Sequence, residues 1–175
     1  EGQLAVFGDA LGIGAADRLR LAGDSTAADV AAAALRVASA TSVVLALDVR
    51  VREFSGRLGL APALQPMLAA LRREQHVVAV SFGDPYVARQ LPLADAYVCA
   101  YVATERLQRL VAEALRGERA MTGRLPVTIP GVARMGAGLT QLPGSDVPRS
   151  TPVAQDLAVD LPDRVRARLG RAIAE

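Results

Sequence analysis

Val77-Val78-Ala79-Val80-Ser81-Phe82-Gly83-Asp84-Pro85-Tyr86 carries an unalternated, β-branched apolar stretch straight into a Gly-Asp-Pro turn. A continuous apolar run of this length suits a strand covered on both faces, as in a parallel sheet. The turn that ends it is a helix-start signal as well. The same alternation continues in both directions from this stretch. Upstream, Val43 to Val49 is another β-branched run, and Leu4 to Phe7, closed by Gly8-Asp9, reads as a short first strand. Downstream, Ala96 to Val102 supplies a fourth. Ser25 or Thr26 can cap a helix running to about Ala40, with Val30 and Val37 on its apolar face. Pro62 opens a second helix in which Leu64, Met67, Leu68 and Leu71 recur at helical spacing. Pro85 to Leu91 leaves room for at most two helical turns. Thr104 then caps a strongly amphipathic helix, with Leu107, Leu110, Val111, Ala114 and Leu115 on one face and Gly117 at its C-terminal cap. Strands alternating with helices predict an α/β fold, a three-layer α/β/α sandwich with a mainly parallel sheet.

Composition narrows the function classes. The 175 residues are 51% hydrophobic and 22% charged, which excludes a disordered chain. One cysteine, Cys99, excludes a disulfide scaffold. No apolar run reaches the roughly eighteen residues that a membrane-spanning helix needs. All 20 basic residues are arginine against 18 acids, and they are spread along the chain, so no clustered nucleic-acid footprint exists. Alanine accounts for 34 residues, a usage that reads with the arginines as coding bias. The chain opens on Glu1 with no basic, apolar leader, so it is expected to be a piece of something longer. Localisation does not follow from such a piece.

Right-handed crossovers place the loops after parallel strands on one edge, where α/β proteins hold ligands. That edge should collect Gly8-Asp9, the segment from Arg50 to Gly59, Ser81 to Tyr86, and Ala103-Thr104. Its carboxylates would be Asp9, Asp48, Glu53 and Asp84, each with a surface or helix-capping role as the ordinary alternative. Gly8, Gly12 and Gly14 follow the first predicted strand, but their spacing is not that of a dinucleotide-binding loop, and Asp9 would repel the phosphates. The single histidine, His76, falls at the start of a strand, opposite this edge, where it is expected to be an ordinary surface residue. Cys99 is expected to be a small, buried, apolar mid-strand residue. No metal-ligand spacing occurs, and no cofactor is implied.

From residue 124 the pattern changes. Arg124 to Ile129 is a possible further strand, confined by Pro126 to an edge. Six of the ten prolines lie from Pro126 onward, and the segment reads as a strap across the domain surface. The expected organisation is a sandwich domain over 1–142, a linker or strap over 143–161, and a terminal helix over 162–175. In that helix Val165, Leu169 and Ile173 fall in register.

One ordered series carries a resemblance. It comprises Val77 to Tyr86, then Leu91-Pro92-Leu93-Ala94-Asp95-Ala96-Tyr97-Val98-Cys99-Ala100-Tyr101, then Ala114-Leu115-Arg116-Gly117. Thr122-Gly123-Arg124-Leu125-Pro126-Val127-Thr128-Ile129-Pro130 and Gly136-Ala137-Gly138-Leu139 complete it. The series resembles the C-terminal α/β sandwich domain of family-three glycoside hydrolases, and is most similar to the bacterial β-N-acetylhexosaminidase branch. Asp84 stands where that pattern has asparagine. The resemblance is strong over about sixty residues, while the N-terminal half fits as alternating elements.

The resemblance implies a retaining glycosidase whose nucleophilic aspartate belongs to a preceding (β/α)8 barrel of the same parent chain. It assigns no catalytic residue here, because neither the nucleophile nor the histidine–aspartate acid/base pair of that branch has a counterpart in this sequence. The implied role is to shape one wall of a cleft for an amino-sugar glycan, with Asp84, Tyr86 and Arg57 as expected substrate-binding residues. Aspartate accepts hydroxyl protons, tyrosine packs on a sugar face, and arginine grips a carboxylate. The helix over 162–175 would either return onto the sandwich or open a serine-hydrolase-like domain. A non-catalytic interaction module is the competing expectation, and a stand-alone nucleotide-binding protein a third.

Overall fold

A computed structural model describes residues 4–22, 24–49 and 59–143. It is a small α/β domain built on a three-stranded parallel sheet flanked by helices. Strands β1 (Ser42–Leu47), β2 (His76–Ser81) and β3 (Ala96–Cys99) lie in the order β1-β2-β3, so the decisive apolar run is the central strand. Ser42 pairs with His76 and Leu47 with Ser81, and Val78 pairs with Ala96 and Ser81 with Cys99. The strand ends at Leu47, Ser81 and Cys99 therefore lie together at one edge.

Helix α1 (Ala5–Ala10) corrects the first expectation, since Leu4 to Phe7 is not a strand. A four-residue apolar run does not distinguish strand from helix, and here the spacing of Leu4, Phe7 and Leu11 is helical. All three pack into one cluster, in which Phe7 is buried edge-on against Phe82 with ring centroids 5.2 Å apart. The glycines after it end this helix. Gly12, at φ +79°, donates its N–H to Asp9 O at 3.0 Å while Ile13 N–H reaches Gly8 O at 3.1 Å. That double closure is a Schellman cap. Asp9 is exposed and paired with Arg18 at 2.5 Å.

Helix α2 (Ala27–Ser39) starts where the cap was expected, with Thr26 and Asp29 forming a reciprocal capping box. The helix expected from Pro62 is shorter and split into a 3₁₀ turn, Pro62–Leu64, and α3 (Gln65–Ala69). Pro66, which has no backbone N–H to donate, falls at the junction. Met67 and Leu71 are nevertheless buried as the spacing required. Helix α4 (Glu105–Leu115) is capped by Thr104 and closed by Gly117 at φ +75°, again with a Schellman pair of bonds.

Alternate residues of β2 enter two different apolar clusters. Val77 and Ala79 join Val30, Ala33 and Val37 of α2, Met67 of α3 and Leu71. Val78 and Val80 join Phe7, Val111 and Ala112, which brings in α1 and α4. Two buried glutamines tie these layers to the sheet. Gln75 donates from Nε2 to Val37 O and Ala40 O, both at 2.6 Å, and its Oε1 accepts from Arg72 N at 2.7 Å. Gln108 donates to Ala103 O at 2.8 Å and accepts from Phe7 N at 3.0 Å. Each satisfies backbone groups that would otherwise be buried without a partner.

The strap is the second correction. Arg124 to Ile129 forms no strand. Instead Met121 bridges Gln141 and Ile129 bridges Ala133, with Leu125 bonded to Ala137 and Gly136 between them. Pro126 and Pro130 cannot donate to a ladder, so the pairing is reduced to isolated bridges. Arg124 holds the two arms together through Gly138 O and the Thr140 hydroxyl. Ile129 is 1% exposed and anchors the loop. The linker expected over 143–161 lies, after Pro143, outside the described residues, and so does the helix expected over 162–175.

If Ile129 is the anchor, Ile129→Ala should cost about 2–5 kcal/mol of unfolding free energy, as deletion of a fully buried aliphatic side chain does. Urea denaturation measures it. A cost under about 0.5 kcal/mol, typical of a surface site, would show the strap to be only loosely attached.

Candidate functional site

The chain leaving β2 must pass very close to the chain leaving β1. Phe82 N–H donates to Leu47 O at 2.7 Å and Asp84 N–H to Val49 O at 2.8 Å, which extends the parallel pairing beyond both strands. A Cβ placed on Gly83 would collide with the Val49 carbonyl, so this position takes glycine for want of space. The Ser81 hydroxyl donates to Asp84 O at 2.8 Å and is itself buried. Asp84, 8% exposed, caps the Pro85–Gln90 3₁₀ turn by accepting Tyr86 N–H at 2.9 Å. The Tyr97 hydroxyl donates to Pro85 O at 3.2 Å and fixes the turn from β3.

These constraints frame an open cleft of about 940 Å³ at the C-terminal edge of the sheet. Val49, Gly83 and Tyr101 contribute from beyond β1, β2 and β3 respectively, and Pro130 from the strap. Tyr86 and Arg89 stand on the Pro85–Gln90 turn with their side chains exposed. Gln90 Oε1 accepts Leu60 N–H at 2.6 Å and so fastens the Gly59 side of the cleft to the same turn.

The structure brings together two of the three expected substrate-binding residues, Asp84 and Tyr86. Arg57, like Glu53, lies outside the described residues. Gly8-Asp9 belongs to α1 and is not among the residues that line the cleft. Thr104 serves as the N-cap of α4, accepting from Leu107 N at 3.4 Å. Arg89 and Tyr101 were not anticipated. Arg89 could have been found as the cation of the short turn after Asp84-Pro85, whereas Tyr101 has only its place at the end of β3 to signal it.

His76 begins β2 at the opposite end of the sheet and is half-buried, with a buried Nδ1 that has no hydrogen-bond partner. Cys99 is the last residue of β3 and half-buried, so it is neither mid-strand nor fully covered. Burial pushes its thiol up to about 11, and burial likewise pushes the Tyr97 phenol up to about 12. Both groups are thus neutral near pH 7, and neither is an activated nucleophile. Among the described residues no group of three or more His, Cys, Asp or Glu side chains could hold a metal ion. Asp84 is the one carboxylate among the described residues that line the cleft.

Comparison with protein-family models, with curated proteins and with solved structures finds no match to this chain.

Two measurements probe this edge. Gly83→Ala should destabilise by about 3 kcal/mol, the cost of forcing a methyl group into a filled site, with the loss read from a urea midpoint. A neutral result would mean that β1 and β2 separate freely there. The second concerns alkaline pH. Cys99 and Tyr97 both hold their protons more tightly folded than unfolded, so the unfolded chain ionises first. Stability should be complete below about pH 9 and decline as pH rises through 11 and 12. A denaturation midpoint that stays flat to pH 12 would contradict the burial of these groups.

Proposed function

We propose that this chain is one wall of a saccharide cleft in a retaining glycoside hydrolase resembling the β-N-acetylhexosaminidases of family three. In this reading it is the C-terminal three-layer α/β/α sandwich of the parent enzyme. The observation that carries the proposal is the lining of the cleft: among the described residues it presents two exposed phenols, Tyr86 and Tyr101, and the Arg89 guanidinium beside the Asp84 carboxylate. Such a surface can hold a sugar ring by its apolar face and by its hydroxyls. Retaining hydrolysis uses a pair of groups flanking the scissile bond, and in this reading both come from outside this wall.

The division of labour follows. A (β/α)8 barrel of the parent chain supplies the nucleophile and the acid/base group, and closes the open side of the cleft. The residues here bind and orient. Asp84 keeps the turn in shape through Tyr86 N–H, a role asparagine would fill equally well through its own side-chain oxygen. This supports the resemblance despite the substitution. Tyr86 offers a ring face to the sugar, and Arg57 is proposed to join it from the adjoining segment. Met135, Leu139 and Leu142 are all more than half exposed along the strap, and they favour docking against a neighbouring domain. That feature also suits the alternative, a non-catalytic interaction module.

The test compares the chain alone with a longer form carrying the barrel, on an aryl N-acetylglucosaminide. The longer form should hydrolyse it and the chain alone should not. Tyr86→Ala in the longer form should raise KM about three- to tenfold, the effect of losing one aromatic contact. Appreciable turnover by the chain alone, or none by the barrel-bearing form, would overturn the proposal.

A further inference from the structure

We infer that Tyr101 is a saccharide-stacking residue, presented to the cleft by a strained turn that the fold imposes on it. The inference rests on the glycosidase reading and adds to it a contact residue that the sequence did not reveal. Tyr101 has φ +66°, and among the described residues it is the only non-glycine with positive φ. Val102 N–H donates to Ala100 O at 2.8 Å, which closes a three-residue turn around it. A γ-turn with positive φ at its centre is the rare, strained form for any residue bearing a Cβ. Glycine adopts it freely, so an aromatic residue there requires an explanation.

Core packing does not provide one, since Tyr101 is 39% exposed and its inward contact is a side-chain hydrogen bond with the half-buried Cys99. The flanks show instead how the turn is imposed. Ala100, 8% exposed, is packed in the cluster of Phe82 and Val111, and its N–H donates to Ser81 O at 2.8 Å. Three residues beyond Tyr101, Thr104 caps α4. Both sides of the turn are therefore fixed by the body of the domain. Local strain of this kind persists where surrounding structure over-determines a residue, and it concentrates at ligand-binding positions. The outcome is that Tyr101 lines the cleft with Tyr86 and Arg89. A pyranose presents a face of polarised C–H bonds, complementary to the negative face of a phenol ring. Two such rings in one lining suit consecutive sugar units or the two sides of one.

The chain has three tyrosines and no tryptophan, so isotope-labelled tyrosine rings report on Tyr86, Tyr97 and Tyr101 individually by NMR. The full chain is titrated with the trimer of N-acetylglucosamine. The expected result is that the Tyr101 and Tyr86 ring signals move along a common saturation curve while Tyr97, committed to Pro85, stays still. Tyr101→Phe should retain affinity within about twofold. Tyr101→Gly, whose backbone suits the turn, should weaken binding about three- to tenfold, with an unshifted Tyr97 ring certifying the fold. A Tyr101 ring that does not move in the unaltered chain overturns the inference, as does a Tyr101→Gly variant that binds equally well. Movement of Tyr86 alone would leave the saccharide wall standing and remove only Tyr101 from it. Failure of the barrel-bearing form to hydrolyse the aryl glycoside would instead strike the glycosidase reading itself.

Discussion

The close approach of the chain beyond β1 to the chain beyond β2 is the constraint on which the candidate site depends. Asp84 N–H reaches Val49 O across a gap that has no room for a side chain at Gly83. Because the gap is closed by backbone bonds, the direction in which the chain leaves β2 is set before any side chain of the cleft is placed. Asp84 then caps the Pro85–Gln90 turn, and that turn positions Tyr86, Arg89 and Gln90. Gln90 in its turn holds Leu60, so the far lip of the cleft is tied to the same short element. A site framed in this way is mostly rigid backbone, as a wall that orients a ligand needs to be.

The same edge shows how a parallel sheet separates stability from ligand binding. Val77, Ala79 and Val80 are fully buried on the central strand, and they commit both its faces to helices. Only the strand ends are free to carry exposed chemistry. At the other end His76 shares the register of Ser42 and stands apart from the cleft. Cys99 and Tyr97, near the C-terminal ends, are kept neutral by burial and serve the packing under the cleft. In the interior Gln75 and Gln108 close orphaned backbone groups with neutral side chains, and the buried Asp95 carboxylate accepts Val77 N–H at 2.9 Å on the central strand.

The strap has a different physical basis. Its prolines deny it a continuous ladder, and it is held by isolated bridges, by Arg124 gripping the opposite arm, and by Ile129 inserted into the domain. Gly138 passes so close to the Gly123 carbonyl that a side chain there would collide with it. The arrangement buries Ile129 and Ala137 and leaves Met135, Leu139 and Leu142 exposed, while Pro130 is delivered to the cleft.

The amino-acid order alone determined the central strand, its two neighbours, the caps at Thr26, Asp84 and Thr104, and the glycine stop at Gly117. All of these are local: an apolar run of the right length, or a hydroxyl or carboxylate beside a free N–H, acts within a few residues. It also pointed to the edge where the strands end. Tertiary structure decided what local pattern leaves open. Leu4 to Phe7 became a helix because Phe7 packs against Phe82 and Gln108, partners more than seventy residues away. Arg124 to Ile129 gave up its pairing because the partner arm, 133–141, meets it only at intervals. The positive φ of Tyr101 is set by Ala100 in the core on one side and α4 on the other. No local preference of tyrosine would select that conformation, so its presence in the cleft could be learned only from the folded chain.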